Sequence, residues 1–222
     1  MSPTTCDKGS GNDQRNGITR VNGVTCSSFK GCLELIKEQI SETIGMINED
    51  SIRAMIDAIM DADKIFLLGA GRSGLVAKAF AMRLMHLGFV VYVVGETVTP
   101  AVERGDLVIT ITGSGETLNI VNMTKVAKSR GAAIVAVTSN PASSVGRLAD
   151  VVVEIKGRLD RKDVGGEDYT ERQLRGEYRS LTPLGTVFEI LSLVVLDAVI
   201  AELMAVIGAS EEDLKARHAV LE

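Results

Sequence analysis

The chain has 222 residues, 45% of them hydrophobic, with a formal net charge of -5. That length and composition support one substantial core and not two. An acidic chain with 4% aromatic residues and no Trp lacks the basic face and the stacking platforms of a nucleic-acid binder. Its three cysteines, Cys6, Cys26 and Cys32, are odd in number and have no metal-ligand spacing. They predict a reduced, cytoplasmic protein, and the polar N-terminus predicts no signal peptide.

Met1–Cys26 is rich in Gly, Ser, Thr, Asn and Asp and shows no apolar period, so it reads as a disordered extension before a single domain over 27–222. From Ser27 the residues Leu33, Ile36, Ile40, Ile44 and Ile47 recur at helical spacing. Ile52, Met55, Ile56 and Ile59 mark a second helix, with Asp50 or Ser51 as its cap. Lys64–Leu68 then reads as a buried strand, Gly69–Gly74 as a turn, and Leu75–Leu87 as a helix closed by Gly88. Further strands are predicted at Phe89–Val94, Leu107–Thr112, Ala133–Thr138 and Val151–Ile155. A helix is predicted over Glu116–Ser129 and a short one over Ser143–Leu148, beyond the break at Ser139-Asn140-Pro141. Apolar strands alternating with helices mean a parallel sheet covered on both faces, with the loops after the strands gathered on one edge.

Lys156–Arg179 is a long polar connection. Leu184–Ile207 is strongly apolar but carries Glu189, Asp197 and Glu202, and each acid would cost roughly 2.5–3.5 kcal/mol at the centre of a lipid-spanning helix. It reads as a core helix that also packs on a partner subunit, and no membrane is implied. Glu211–Glu222 reads as a short helix and tail.

The run ITGSGET, Ile111–Thr117, follows a buried strand and opens a helix. Thr112, Ser114 and Thr117 with their glycines offer hydroxyls and backbone N–H groups where the helix end carries partial positive charge, which suits a phosphate. No Walker-type lysine accompanies it. The earlier loop Gly69-Ala70-Gly71-Arg72-Ser73-Gly74 fits the dinucleotide pattern G-x-G-x-x-G, with Glu96 near the place of a ribose-binding acid. A tight ligand-free turn explains the same glycines. Arg72 and Ser73 suit a terminal phosphate or sugar oxygens, although Arg72 also has Glu96 and Glu103 as possible ion-pair partners.

GAGRSG at Gly69, MRLMHLGF at Met82, VGET at Val94, ITGSGET at Ile111 and AVTSNPASS at Ala136 together resemble the sugar isomerase (SIS) family. VVGETVTPA, LTPLGTVFE at Leu181 and RHAVLE at Arg217 resemble its 6-phospho-3-hexuloisomerase group. The resemblance runs from Ser27 to the end. It implies a flavodoxin-like three-layer sandwich with five parallel strands in the order 2-1-3-4-5. It also implies conversion of 3-hexulose 6-phosphate to fructose 6-phosphate, without metal or redox cofactor, in a homo-oligomer whose sites lie near subunit interfaces. Carried over, the phosphate contacts are Thr112, Ser114, Gly115, Glu116 and Thr117 with Ser73, and the base is Glu189.

Moving the carbonyl from carbon 3 to carbon 2 passes through a 2,3-enediol. One carboxylate over the bond serves both proton transfers, and apolar neighbours such as Val187, Phe188, Ile190 and Leu191 would lift its pKa. Arg72 would steady the enediolate. Thr186-Val187-Phe188-Glu189 also reads as a capping box, a purely structural use of the acid. His86, near the far end of its helix, reaches a site only in a neighbouring subunit, whereas His218 lies in the terminal tail. Either is of a residue type that can shuttle protons between substrate hydroxyls. The alternatives that stay open are an isomerase of another sugar phosphate, of the arabinose 5-phosphate type, a non-catalytic sugar-phosphate sensor and, last, a dinucleotide-dependent oxidoreductase.

Overall fold

The computed structural model describes residues 14–15, 18–19, 27–156 and 186–218. Five strands form one all-parallel sheet: β1 (Ile65–Gly69), β2 (Val91–Val93), β3 (Leu107–Ile111), β4 (Ala133–Thr138) and β5 (Val151–Glu154), in the order β2-β1-β3-β4-β5. Ile65 pairs with Leu107 and Leu107 with Ala133, so the central strands start in step and their C-terminal ends share one edge. The expected topology is observed.

Residues alternate sides along a strand, and here both sides are dry. Ile65 and Leu67 of β1, with Ile109, Val135 and Val137, join a core built on α2 (Glu49–Met60), α3 (Gly71–Leu87) and α6 (Thr186–Ile207). Phe66 and Leu68, with Val108, Ile134 and Ala136, join the core on the other face, under α4 (Leu118–Ser129) and α5 (Ser144–Leu148). No helix lies between β2 and β3. Residues 94–106 cross there as a loop, tied down by Asp106, whose Oδ2 accepts the Glu103 N–H at 2.8 Å.

α1 (Ser27–Met46) leans on α6, and α7 (Glu211–Ala216) rests against α3. α7 starts with a reciprocal box between Ser210 and Asp213. α2 is capped by Asn48, whose Oδ1 accepts the N–H groups of Asp50 and Ser51 at 2.9 and 3.2 Å. Those two residues, expected as caps, lie inside the first turn. α6 is long and apolar enough to cross a membrane, yet one face of it packs on α3 and α2 as a core helix.

In the extension read as disordered, Gln14–Arg15 pairs antiparallel with Ile18–Thr19. The intervening sequence, Asn16-Gly17, is a strong two-residue hairpin signal that the disorder reading overlooked. The rest of residues 1–26 and the connection 157–185 lie outside the described residues, as do Cys6 and Cys26. Cys32 is a free thiol on α1.

Candidate active site

Strand order reverses between β1 and β3, so the chain leaves β1 toward one face of the sheet and leaves β3 toward the other. A crevice opens between the two loops at the C-terminal edge. On the first side, helix α3 begins at Gly71, one turn before the expected Leu75. Gly71 takes a left-handed φ of 55°, which lets the chain turn straight from strand to helix. Arg72 and Ser73 are therefore first-turn helical residues and not loop residues. A Cβ on Gly69 would stand 2.8 Å from the Ser73 carbonyl oxygen, and one on Gly74 would stand 3.0 Å from that of Gly69. Both glycines are required by the strand–helix crossing alone. Glu96, the candidate ribose acid, is bound to Lys78 Nζ at 2.6 Å. The dinucleotide reading thus loses its specific supports.

On the second side, Thr112–Thr117 connects β3 to α4. Thr112 is buried, and its Oγ1 accepts the Gly115 N–H at 3.3 Å, which curls the loop. Ser114 is exposed, and its Oγ accepts the Glu116 N–H at 3.3 Å. Gly115 has φ 67°, and a Cβ there would overlap Ser143 Oγ at 1.9 Å, so no other residue fits. Thr117 is the N-cap of α4, yet its side chain makes no capping bond. The Ser114 and Thr117 hydroxyls and the first amides of α4 therefore lie at the accessible edge, whereas Ser73 is 8% exposed. Glu116 Oε1 accepts the Ser144 N–H at 2.7 Å, so its carboxylate is directed at α5.

Glu189 lies in the first turn of α6, with its side chain 14% exposed. Arg72 Nε is 3.5 Å from Glu189 Oε2. That oxygen is buried and has no hydrogen-bond partner among the described residues. The pair is close in charge but poorly aligned as a hydrogen bond. Burial raises the Glu189 carboxyl above its ordinary range, while its own backbone N–H and Arg72 pull it part of the way back. Thr186, the supposed cap, is the first residue of α6 itself. Arg72 pairs with Glu189 and not with the other acids considered. Glu103 stands 3.7 Å from Lys64.

His86 and His218 come together away from this crevice. His86 is 3% exposed, and its ring stacks on that of His218 with centroids 5.1 Å apart. Arg217 Nη1 donates to the His86 carbonyl at 3.2 Å. His86 lies fourteen positions after Arg72 on α3, about 21 Å along the helix. Neither histidine shares the Glu189 crevice of its own chain.

Sequence reasoning missed the segment 138–145. Thr138 Oγ1 and Ser139 Oγ donate to the Gly113 carbonyl at 3.2 and 2.7 Å. Val145 N–H donates to the Gly115 carbonyl at 3.1 Å. The sequence signal was its crowding of Ser, Thr and Asn around Pro141. A turn pattern does not disclose which loop those hydroxyls hold.

Comparison with known proteins agrees with this architecture. The family model for the SIS domain matches residues 58–159. An uncharacterized protein of Archaeoglobus fulgidus is 48% identical over 191 residues, covering 86% of this chain and 98% of its own. The 3-hexulose-6-phosphate isomerase of Bacillus subtilis is 40% identical over 187 residues, covering 84% of this chain and 95% of its own. Among solved structures, a Methanococcus jannaschii protein aligns with a TM-score of 0.70 at 35% identity. It covers 86% of this chain and 99% of its own, and its structure was described as inferring a 3-hexulose-6-phosphate isomerase function.

Proposed function

Because this chain belongs to the SIS-domain family of sugar isomerases, we propose that it is an isomerase interconverting 3-hexulose 6-phosphate and fructose 6-phosphate. The observation that carries the reading is the half-buried acid Glu189, set beside Arg72 and a hydroxyl-lined loop at one crevice. The substrate phosphate sits on the Ser114 and Thr117 hydroxyls and on the amides that open α4. These are donors held ready for an anion by the loop's own hydrogen bonds. The substrate is open-chain, because its 6-oxygen carries the phosphate and cannot close a ring onto carbon 3.

Glu189, as the carboxylate, takes the proton from carbon 2. The electrons form the carbon 2–carbon 3 double bond, and the carbon 3 carbonyl becomes an enediolate oxygen. Arg72 faces that developing charge. Protonated Glu189 then returns its proton to carbon 3 while the carbon 2 hydroxyl loses its own and becomes the carbonyl. A carboxyl with a raised pKa suits both halves, since the acid must take and return one proton near neutral pH.

The transfer between the two oxygens falls to His86 or His218 of a neighbouring subunit. Self-association is supported by the apolar surface left open on one copy. Phe29, Leu33 and Ile44 of α1 are 64%, 52% and 75% exposed, and a groove of about 570 Å³ runs between α1, α2 and α6.

The deciding experiment incubates the pure protein with enzymatically made 3-hexulose 6-phosphate and couples fructose 6-phosphate to a dehydrogenase readout, with arabinose 5-phosphate as the comparison. Turnover of the hexulose phosphate above the pentose phosphate is expected. No fructose 6-phosphate, or preference for the pentose, overturns the reading.

A further inference from the structure

The loop Thr112–Thr117 is gripped by the segment that joins β4 to α5. Thr138 and Ser139 grip the Gly113 carbonyl, Val145 grips that of Gly115, and Ser144 donates its N–H to Glu116 Oε1 at 2.7 Å. Glu116 alone among these contacts comes from a loop side chain, and it is anionic. A carboxylate beside a bound phosphate would oppose it unless turned elsewhere and neutralised. The Ser144 N–H does the turning. The same corner holds Arg147, whose Nη2 stands 3.5 Å from Ser144 Oγ and whose Nη1 donates to the Ala142 carbonyl. Hydrogen bonds from Ser144 keep the Glu116 carboxyl below its ordinary range, with Arg147 adding to the effect, so it stays ionised.

We propose that Glu116 is a positioning residue. Its carboxylate, bonded to the Ser144 N–H, fixes the Thr112–Thr117 loop onto α5 so that the Ser114 and Thr117 donors face the phosphate, and Glu116 itself does not touch substrate. The proposal rests on reading this loop as the phosphate seat. It departs from the direct contact that family resemblance assigns to Glu116.

Two variants break the same bond from opposite sides. Glu116→Ala removes the acceptor. Ser144→Pro removes the donor and leaves the helix intact: Ser144 is the first residue of α5, where Pro is tolerated. Ser143 before it is already extended, with φ -66° and ψ 170°, as a residue preceding Pro must be. Each variant raises KM and the Kd for inorganic phosphate together, by about tenfold, with kcat within about twofold of wild type. The double variant is no weaker than either single one. Glu116→Gln, which keeps an acceptor oxygen, restores most of the affinity. Melting curves identify any variant that fails to fold. An unchanged phosphate Kd in Glu116→Ala overturns the proposal, as does a wild-type Kd in a folded Ser144→Pro, additive losses in the double variant, or Glu116→Gln as weak as Glu116→Ala. A wild-type protein that binds phosphate but does not isomerise the hexulose phosphate overturns the function instead, and the phosphate Kd then tests the tether by itself. A wild type that binds no phosphate overturns both.

Discussion

The ring of Phe188 lies against the backbone of Gly113, so close that a Cβ on Gly113 would stand 3.2 Å from Phe188 Cδ1. This contact joins the loop after β3 to the start of α6, and Glu189 is the next residue of that helix. A ring on a glycine therefore links the helix that carries the acid to the hydroxyl loop.

Gly113→Ala would push Phe188, and with it Glu189, by a few tenths of an ångström. Rates are sensitive to displacements on that scale, with about 1 Å worth up to about 10²-fold. The expected result is a loss of kcat of about tenfold with a small loss of thermal stability. Steady-state kinetics beside a melting curve check this, and a kcat equal to wild type would show that the acid does not depend on the contact.

Glu189→Gln keeps the shape and removes the proton acceptor. Turnover falls by at least about 10³-fold, in the middle of the range that general acid–base catalysis contributes, while calorimetry still detects inorganic phosphate. Activity within tenfold of wild type removes Glu189 from the mechanism.

The pH dependence has a definite direction. In the proposed mechanism the active form of Glu189 is the carboxylate, and burial raises its pKa. The acid limb of kcat/KM thus lies above the ordinary Glu value of about 4.3, and activity falls as pH drops through it. Arg72 lowers that pKa, so Arg72→Met moves the limb to higher pH. Stability moves the opposite way. The folded protein holds this proton more tightly than the unfolded chain, so the cost of burying the charge is absent below the unfolded pKa. It grows as pH rises through the window up to the folded pKa. Glu189→Gln consequently melts higher than wild type at pH 7, and the difference closes below about pH 4. A lower melting temperature for Glu189→Gln at pH 7 contradicts the burial account.

His86 and Glu189 lie at opposite ends of their own subunit, so a shared site between subunits has a sharp consequence. Mixed oligomers of His86→Ala and Glu189→Gln parents recover activity, because some sites draw both intact residues from different chains. Subunit exchange followed by the coupled assay measures this. Mixtures as inactive as the parents exclude His86 from a shared site.

The central strands could be read from the chain because each is buried on both faces. Ile65–Leu68 feeds two cores at once and is therefore apolar throughout. β2 is an edge strand and only partly buried, and it is shorter than its apolar run suggests, Val91–Val93 against Phe89–Val94. The start of α3 was misjudged for a different reason: glycines usually signal a loop, but here the left-handed Gly71 and the contact between Gly69 and Gly74 compress the turn into the helix itself.

Local composition by itself determined the parallel sandwich, the edge on which its loops gather, and the crowding of hydroxyls and glycines in Ile111–Thr117 on which the phosphate proposal rests. All of these follow from which atoms a short segment must bury or leave unpaired. Tertiary structure alone decided the partners: Arg72 with Glu189, His86 with His218, Glu116 with Ser144. Those pairings join residues distant along the chain, and a charge, ring or hydroxyl in a sequence carries no record of which group the packing of helices on a sheet will bring against it.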